Sequence, residues 1–194
     1  DKKAKNLIGI APGLNEKMPK KEIFKALNLL KKNDIVVCEM GIPLNAIKQI
    51  LTLSKKKKLI TIFNPAPVTG KLNKKDFKNV DYITPNEHEA FELTNIKIKN
   101  KISAKKAAKK LKTLGCKNVI ITLGENGAFA IIDDIDFYIK APKVRSIDTT
   151  GAGDAFNGTY LGGRLKGLSD ENSAIQAHRI AKTVVMQKGA IVSK

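Results

Sequence analysis

The sequence predicts an α/β fold, with helices on both faces of a mostly parallel sheet and an antiparallel hairpin toward the C-terminal part. Three observations carry that expectation. Short apolar runs recur along the chain, and most are followed by an amphipathic helical period. The runs are continuously apolar rather than alternating, as strands covered on both faces must be.

In chain order, LIGIA (7–11) reads as a strand, followed by a helix around 19–32 with Ile23, Leu27 and Leu30 on one face. IVVCE (35–39) precedes a helix around 44–56, and LITIF (59–63) runs into the turn-rich NPAPVTG. VDYIT (80–84) stops at Pro85, after which NEHEAFEL begins a helix. A lysine-coated helix, 103–114, ends on Gly115 in C-cap position and feeds the strand NVIITLG (118–124). GAFAIID and DFYIKA flank Asp133-Asp134, the pattern of an antiparallel hairpin. Two helices, 152–166 and 170–187, complete the pattern. No linker, repeat or low-complexity segment interrupts it, so residues 1–194 read as a single domain.

Net charge is +18, which invites a nucleic-acid hypothesis. Its distribution argues against one. Residues 1–117 hold 27 basic and 10 acidic side chains, whereas 118–194 hold 9 and 8. The basic residues are 33 Lys and 3 Arg, spread over helix faces, and aromatics are only 5%. Base-reading sites use Arg forks or stacking aromatics, so a solvated lysine surface is the expectation. Cys38 and Cys116 lack metal-ligand spacing and read as reduced thiols. No apolar run approaches the roughly 20 residues of a membrane span.

Ligands of open α/β sheets bind beyond the carboxyl ends of the strands. Those ends supply NPAP, TPNEHE, TLGENG and DTTGAGD, which are expected to share one rim. In DTTGAGDAFNG (148–158) a Gly-Ala-Gly precedes Asp154 at a helix start. The motif is not a P-loop, since GxxxxGK[ST] is absent, and Phe156 breaks the dinucleotide pattern GxGxxG. Two readings remain from the residues alone. Asp154 caps the helix, or the glycines admit a phosphate to the electropositive helix end and Asp154 acts on its attacker.

Taken together, DTTGAGDAFNG, TPNEHEAFELT, TLGENGA, NPAP and the later AHRIA closely resemble the ribokinase-like sugar kinases, in order and over nearly the whole chain. The resemblance implies a three-layer α/β/α fold and an ATP-dependent, Mg²⁺-requiring kinase. Its substrate would be a sugar hydroxymethyl group, D-ribose first and fructose, a keto-deoxy sugar acid or a nucleoside as alternatives. It makes Asp154 the base, and Gly151, Ala152 and Gly153 the anion hole. Asn86 and Glu89 match an Asn-x-x-Glu motif tied to the nucleotide phosphates and Mg²⁺, beside the plainer reading of a helix cap. Thr122, Gly124 and Gly127 resemble a loop under the ribose and phosphates of ATP, and His178 a position beside the adenine. Asp148, Thr150, Val184, Gln187, Gly189 and Ser193 fall where the family holds a monovalent cation, so potassium is the expected second ion.

The resemblance also implies that the chain is the C-terminal nucleotide-binding portion of a longer kinase, without the N-terminal part and lid. VCEMGIP departs from the family, which has a sugar-contacting Glu at the position of Gly41; Glu39 stands two residues earlier. Expected partners are the sugar and ATP, with no specific nucleic acid and no membrane; a homodimer of the full-length protein is left open. The expected compartment is the cytoplasm. The rivals are a non-catalytic nucleotide-binding piece and a polyanion-binding protein.

Overall fold

The computed structural model describes Ala11 and residues 13–190. The strand expected at 7–11 therefore lies outside the described residues, apart from Ala11. The chain divides into two compact units. Residues 11–121 and 130–136 make up the first, and residues 122–129 and 137–190 belong to the second.

In the first unit, α1 (Lys20–Asn28), β1 (Ile35–Glu39), α2 (Leu44–Lys56) and β2 (Ile60–Asn64) follow the expected alternation. After them come a four-residue α3 (Lys74–Phe77), β3 (Tyr82–Ile83), α4 (Glu87–Thr94), α5 (Lys101–Leu114) and β4 (Asn118–Thr122). β5 (Ala128–Ile132) and β6 (Ile135–Ile139) complete a mixed sheet of six strands in the order β1-β2-β3-β4-β5-β6. β1 through β4 are parallel neighbours. Asp133 and Asp134, at φ 45° and 67°, make the two-residue turn between β5 and β6, the primed geometry that suits an antiparallel hairpin. The α/β class and the hairpin are as the sequence predicts.

Burial follows the apolar runs. Ile62, Phe63, Ile83, Val119, Ile120 and Ile121 are buried on the central strands. The lysine coat of α5 is one-sided, because Ala104, Ala107, Ala108 and Leu111 turn inward at helical spacing. Ile23 and Leu27 of α1 join Ala46 and Leu59 in a separate cluster. Of the elements that are shorter than the sequence pattern, α1 and β3 lose the most. α1 ends at Asn28, since Asp34 draws residues 31–34 into a turn by accepting from the Lys31 amide at 2.8 Å. β3 keeps two residues of VDYIT. Asp81 is turned aside, its carboxylate accepting from the Thr61 amide at 2.9 Å and hydroxyl at 3.1 Å.

Cys38 and Cys116 are free and buried. Burial pushes both thiols up to about 12, and at Cys38 the charge of Glu39 adds to it.

The second unit is led by a helix pair, α6 (Ala152–Leu165) and α7 (Asp170–Val185). They pack closely at Gly163, where a Cβ would stand 2.7 Å from the buried Ser173 Oγ. The turn between them is pinned by Asp170, which accepts from the Tyr160 hydroxyl and pairs with Arg164 Nε at 3.2 Å. Among the described residues no helix is long and apolar enough to cross a membrane.

Candidate active site

The residues singled out in the sequence divide between the two units. In the second, the N-cap of α6 is Gly151 at φ 79°, a left-handed conformation suited to glycine, and no side chain caps the helix. The Ala152 amide donates to Thr149 O at 3.2 Å and Ala155 to Gly151 O at 2.9 Å. The amides of Gly153 and Asp154 are left without a backbone acceptor outside the helix among the described residues. Gly153 is exposed with nothing within 4 Å of the place a Cβ would occupy. A helix start of this kind presents its partial positive charge and free N–H groups to an anion.

Asp154 occupies the third helical position, is exposed, and makes no hydrogen bond or ion pair among the described residues. It is therefore not the cap of α6. Its carboxylate is a free acceptor one turn into the helix.

Behind Gly151 the backbone is held by Asp148. Its Oδ1 accepts from the Thr150 hydroxyl at 2.7 Å and amide at 2.9 Å, and Oδ2 accepts from the Gly189 amide at 3.0 Å. The Thr150 hydroxyl, then its amide, then the Gly189 amide, hold the Asp148 carboxyl down at about 2. This fixed anion ties the glycine turn to the segment after α7. Gly151 meets that segment directly, since a Cβ on it would stand 2.8 Å from the Ala190 Cβ. The sequence holds no signal for that contact. Of the other residues expected to face a cation, Val184 is buried and its carbonyl already accepts from the Met186 and Gln187 amides. Ser193 lies outside the described residues.

Thr122 ends β4, and Gly124 and Gly127 bracket a single helical turn. The two glycines differ. Gly127, at φ 102°, lies against β6, where a Cβ would stand 1.9 Å from Ile139 O. Gly124, at φ 53°, has open space around it, so a ligand can approach its backbone. His178 is buried rather than superficial. Its ring meets Phe156 edge-on at 5.0 Å, burial pushes its pKa down to about 4, and its Nε2 has no partner among the described residues. It is a neutral core histidine between α6 and α7.

In the first unit, Asn86 and Glu89 form a complete capping box on α4. Asn86 Oδ1 accepts from the Glu89 amide at 2.9 Å, while Glu89 Oε2 and Oε1 each accept at 2.8 Å from the Asn86 amide and side chain. Burial raises the Glu89 pKa against the lowering pull of those hydrogen bonds and of His88. Each carboxylate oxygen keeps one lone pair, enough to hold a hydrated cation but not to build a protein cage. Among the described residues no three His, Cys, Asp or Glu side chains gather as a metal-binding group.

The chain is similar to curated ribokinases. It is 33% identical over 183 residues to that of Staphylococcus aureus, covering 94% of this chain and 60% of the relative. For the ribokinase of Haemophilus influenzae the figures are 31% over 189 residues, with 97% and 61% covered. The chain thus spans about 60% of the length of these relatives. Among solved structures, ribokinase from Thermotoga maritima superposes with a TM-score of 0.81 at 33% identity, covering 96% of this chain and 61% of that one. Arabidopsis thaliana ribokinase complexed with ribose and ATP gives 0.84 at 26% identity, with the same coverage. The profile of the pfkB family carbohydrate kinases matches residues 1–194. The chain belongs to the pfkB family of carbohydrate kinases.

Proposed function

We propose that this chain is the nucleotide-binding portion of an ATP-dependent kinase that phosphorylates a sugar hydroxymethyl group, converting D-ribose to ribose 5-phosphate. The observation that carries the reading is the start of α6. A glycine turn with unpartnered amides stands beside an exposed carboxylate that caps nothing. In phosphoryl transfer the enzyme positions the reactants, stabilises charge and accepts a proton from the nucleophile. Asp154 takes the proton of the sugar hydroxyl as its oxygen bonds to the γ-phosphorus, and the bond to the β-phosphate oxygen breaks to release ADP with the electron pair. The free amides at the start of α6, that of Gly153 first, receive the charge on the transferred group, with Gly151 and Ala152 shaping the turn. Gly124 offers open backbone to the nucleotide.

Magnesium neutralises phosphate charge when bound with ATP, and Glu89 suits a water-mediated hold on it, since Mg²⁺ retains several waters. Asp148 stays ionised and faces the segment around Gly189, which suits an oxygen-held potassium ion. The relatives named ribokinase favour ribose as acceptor. A Salmonella typhi deoxyribokinase, 32% identical over 155 residues and half-covered at 51%, keeps 2-deoxyribose as the second reading.

The test is ADP release by the complete polypeptide with Mg²⁺·ATP and a panel of ribose, 2-deoxyribose, fructose and nucleosides, with the product identified by mass and ³¹P NMR. Ribose 5-phosphate as the preferred product is expected. No transfer to any member of the panel overturns the reading.

A further inference from the structure

Among the side chains that α6 buries, Phe156 and Leu161 are apolar, and the one polar end of Tyr160 is met because its hydroxyl donates to Asp170. Asn157 is the exception. It is 8% exposed, and its Oδ1 is sealed from solvent with no partner among the described residues. The side chain makes no other hydrogen bond among them, so Nδ2 is the end of the amide that reaches the surface. A buried polar group left unpaired costs stability, and a leucine of similar shape would not. The amide at this position therefore answers to something other than packing.

Asp154 stands three residues earlier on the same helix, exposed and likewise without a partner among the described residues. Side chains three apart on a helix are surface neighbours, with Cβ atoms about 5–6 Å from each other. Helical side chains also lean toward the N-terminus, which carries the Asn157 amide toward the turn of Asp154. An amide donor and a carboxylate at this spacing match as a charge-assisted hydrogen bond. Gly153 and Gly158 flank the pair on the exposed side, and nothing lies within 4 Å of where a Cβ on either would stand. A ligand can settle over both side chains and strip them of water.

We infer that Asn157 is a positioning residue for Asp154: with substrate seated over the start of α6, its Nδ2 donates to one carboxylate oxygen and leaves the other aimed at the sugar hydroxyl. The inference rests on the sugar-kinase reading above, with Asp154 as base. Only one of the two oxygens takes the proton, and a carboxylate already held in the productive orientation needs no reordering when the reaction occurs.

The experiment compares wild type, Asn157→Leu, Asp154→Asn and the double variant in the complete polypeptide. Asn157→Leu should lower kcat about 10-fold or more, the range for a hydrogen bond to a charged group. The KM values for sugar and ATP should hold, and the Tm should stay or rise as the unpaired buried acceptor disappears. In the Asp154→Asn background the same Leu change should alter the residual turnover by less than about two-fold, because the carboxylate it orients is gone. An equal loss in both backgrounds would show a structural effect and overturn the inference, as would a kcat for Asn157→Leu within about two-fold of an active wild type. Either result leaves the kinase reading standing. If the leucine variant does not fold, Asn157→Ser removes the amide without added bulk and is read in the same way. A wild type that phosphorylates no sugar overturns both readings.

Discussion

Helices α4 and α5 begin differently from α6, and the contrast sets a capped helix end beside the uncapped one proposed to bind phosphate. Asn86 and Asn100 each seat a reciprocal capping box, so the first-turn amides of α4 and α5 are partly occupied. α6 opens on Gly151 in the left-handed region with no side-chain cap, and the acid in its first turn reaches no amide. A cap typically stabilises a helix by about 1 kcal/mol. α6 forgoes that contribution and keeps the Gly153 and Asp154 amides free of any acceptor outside the helix among the described residues. The stability of α6 must then come from packing on α7, through Gly163 against Ser173 and through the buried Phe156, Tyr160 and His178.

The largest expected effect breaks the contrast on its chemical side. Asp154→Asn removes the proposed proton acceptor but no cap and no ion pair seen among the described residues, so the Tm and ATP affinity should change little. Turnover should fall at least about 100-fold, the lower end of general-base contributions. Retention of more than about a tenth of wild-type turnover would remove Asp154 as base.

Next comes acid sensitivity of the α6–α7 pair. His178 has a folded pKa of about 4 against an ordinary 6.5. Between those values the unfolded chain binds a proton that the folded chain refuses, so stability falls as pH drops through this window and is constant above it. From pH 7 to 5 the loss is at most roughly 2 kcal/mol. Urea titrations at the two pH values should show a steeper loss for wild type than for His178→Gln; identical slopes would show that His178 is not buried neutral.

The smallest effect concerns the caps. Asn100→Ala should cost about 1 kcal/mol in stability and leave turnover unchanged. Asn86→Ala should cost a similar amount and, in addition, raise the KM for Mg²⁺·ATP. Equal kinetics in the two variants would assign the Asn86–Glu89 box to structure alone.

Much of this was legible in the sequence, for physical reasons that vary by element. The inward face of α5 follows from Ala104, Ala107, Ala108 and Leu111 recurring at helical spacing, and the hairpin from Asp133-Asp134 between apolar runs. The asparagine cap at α4 stood in the residues NEHE. What failed to show was decided by side chains folding back or by distant contacts. Asp81 shortens β3 by bonding to Thr61, and Asp34 ends the run after α1 in a turn. α3 is only four residues, too short for a helical period to register. In the site, GAGD marked the helix start and the resemblance grouped Asp148 with Gly189, but Gly151 lying on Ala190 joins segments far apart in the chain. His178 carries no local sign of its burial.

The two buried thiols have a practical consequence. With Cys38 and Cys116 held up at about 12, almost no thiolate exists at neutral pH. These two thiols are thus nearly unreactive toward maleimides and mild oxidants while folded. A cysteine introduced on an exposed face, for instance at Lys166 just beyond α6, would carry a fluorophore without background from Cys38 and Cys116. Exposure of the two native thiols would in turn report, as a rise in reactivity, the moment the sheet-bearing unit opens.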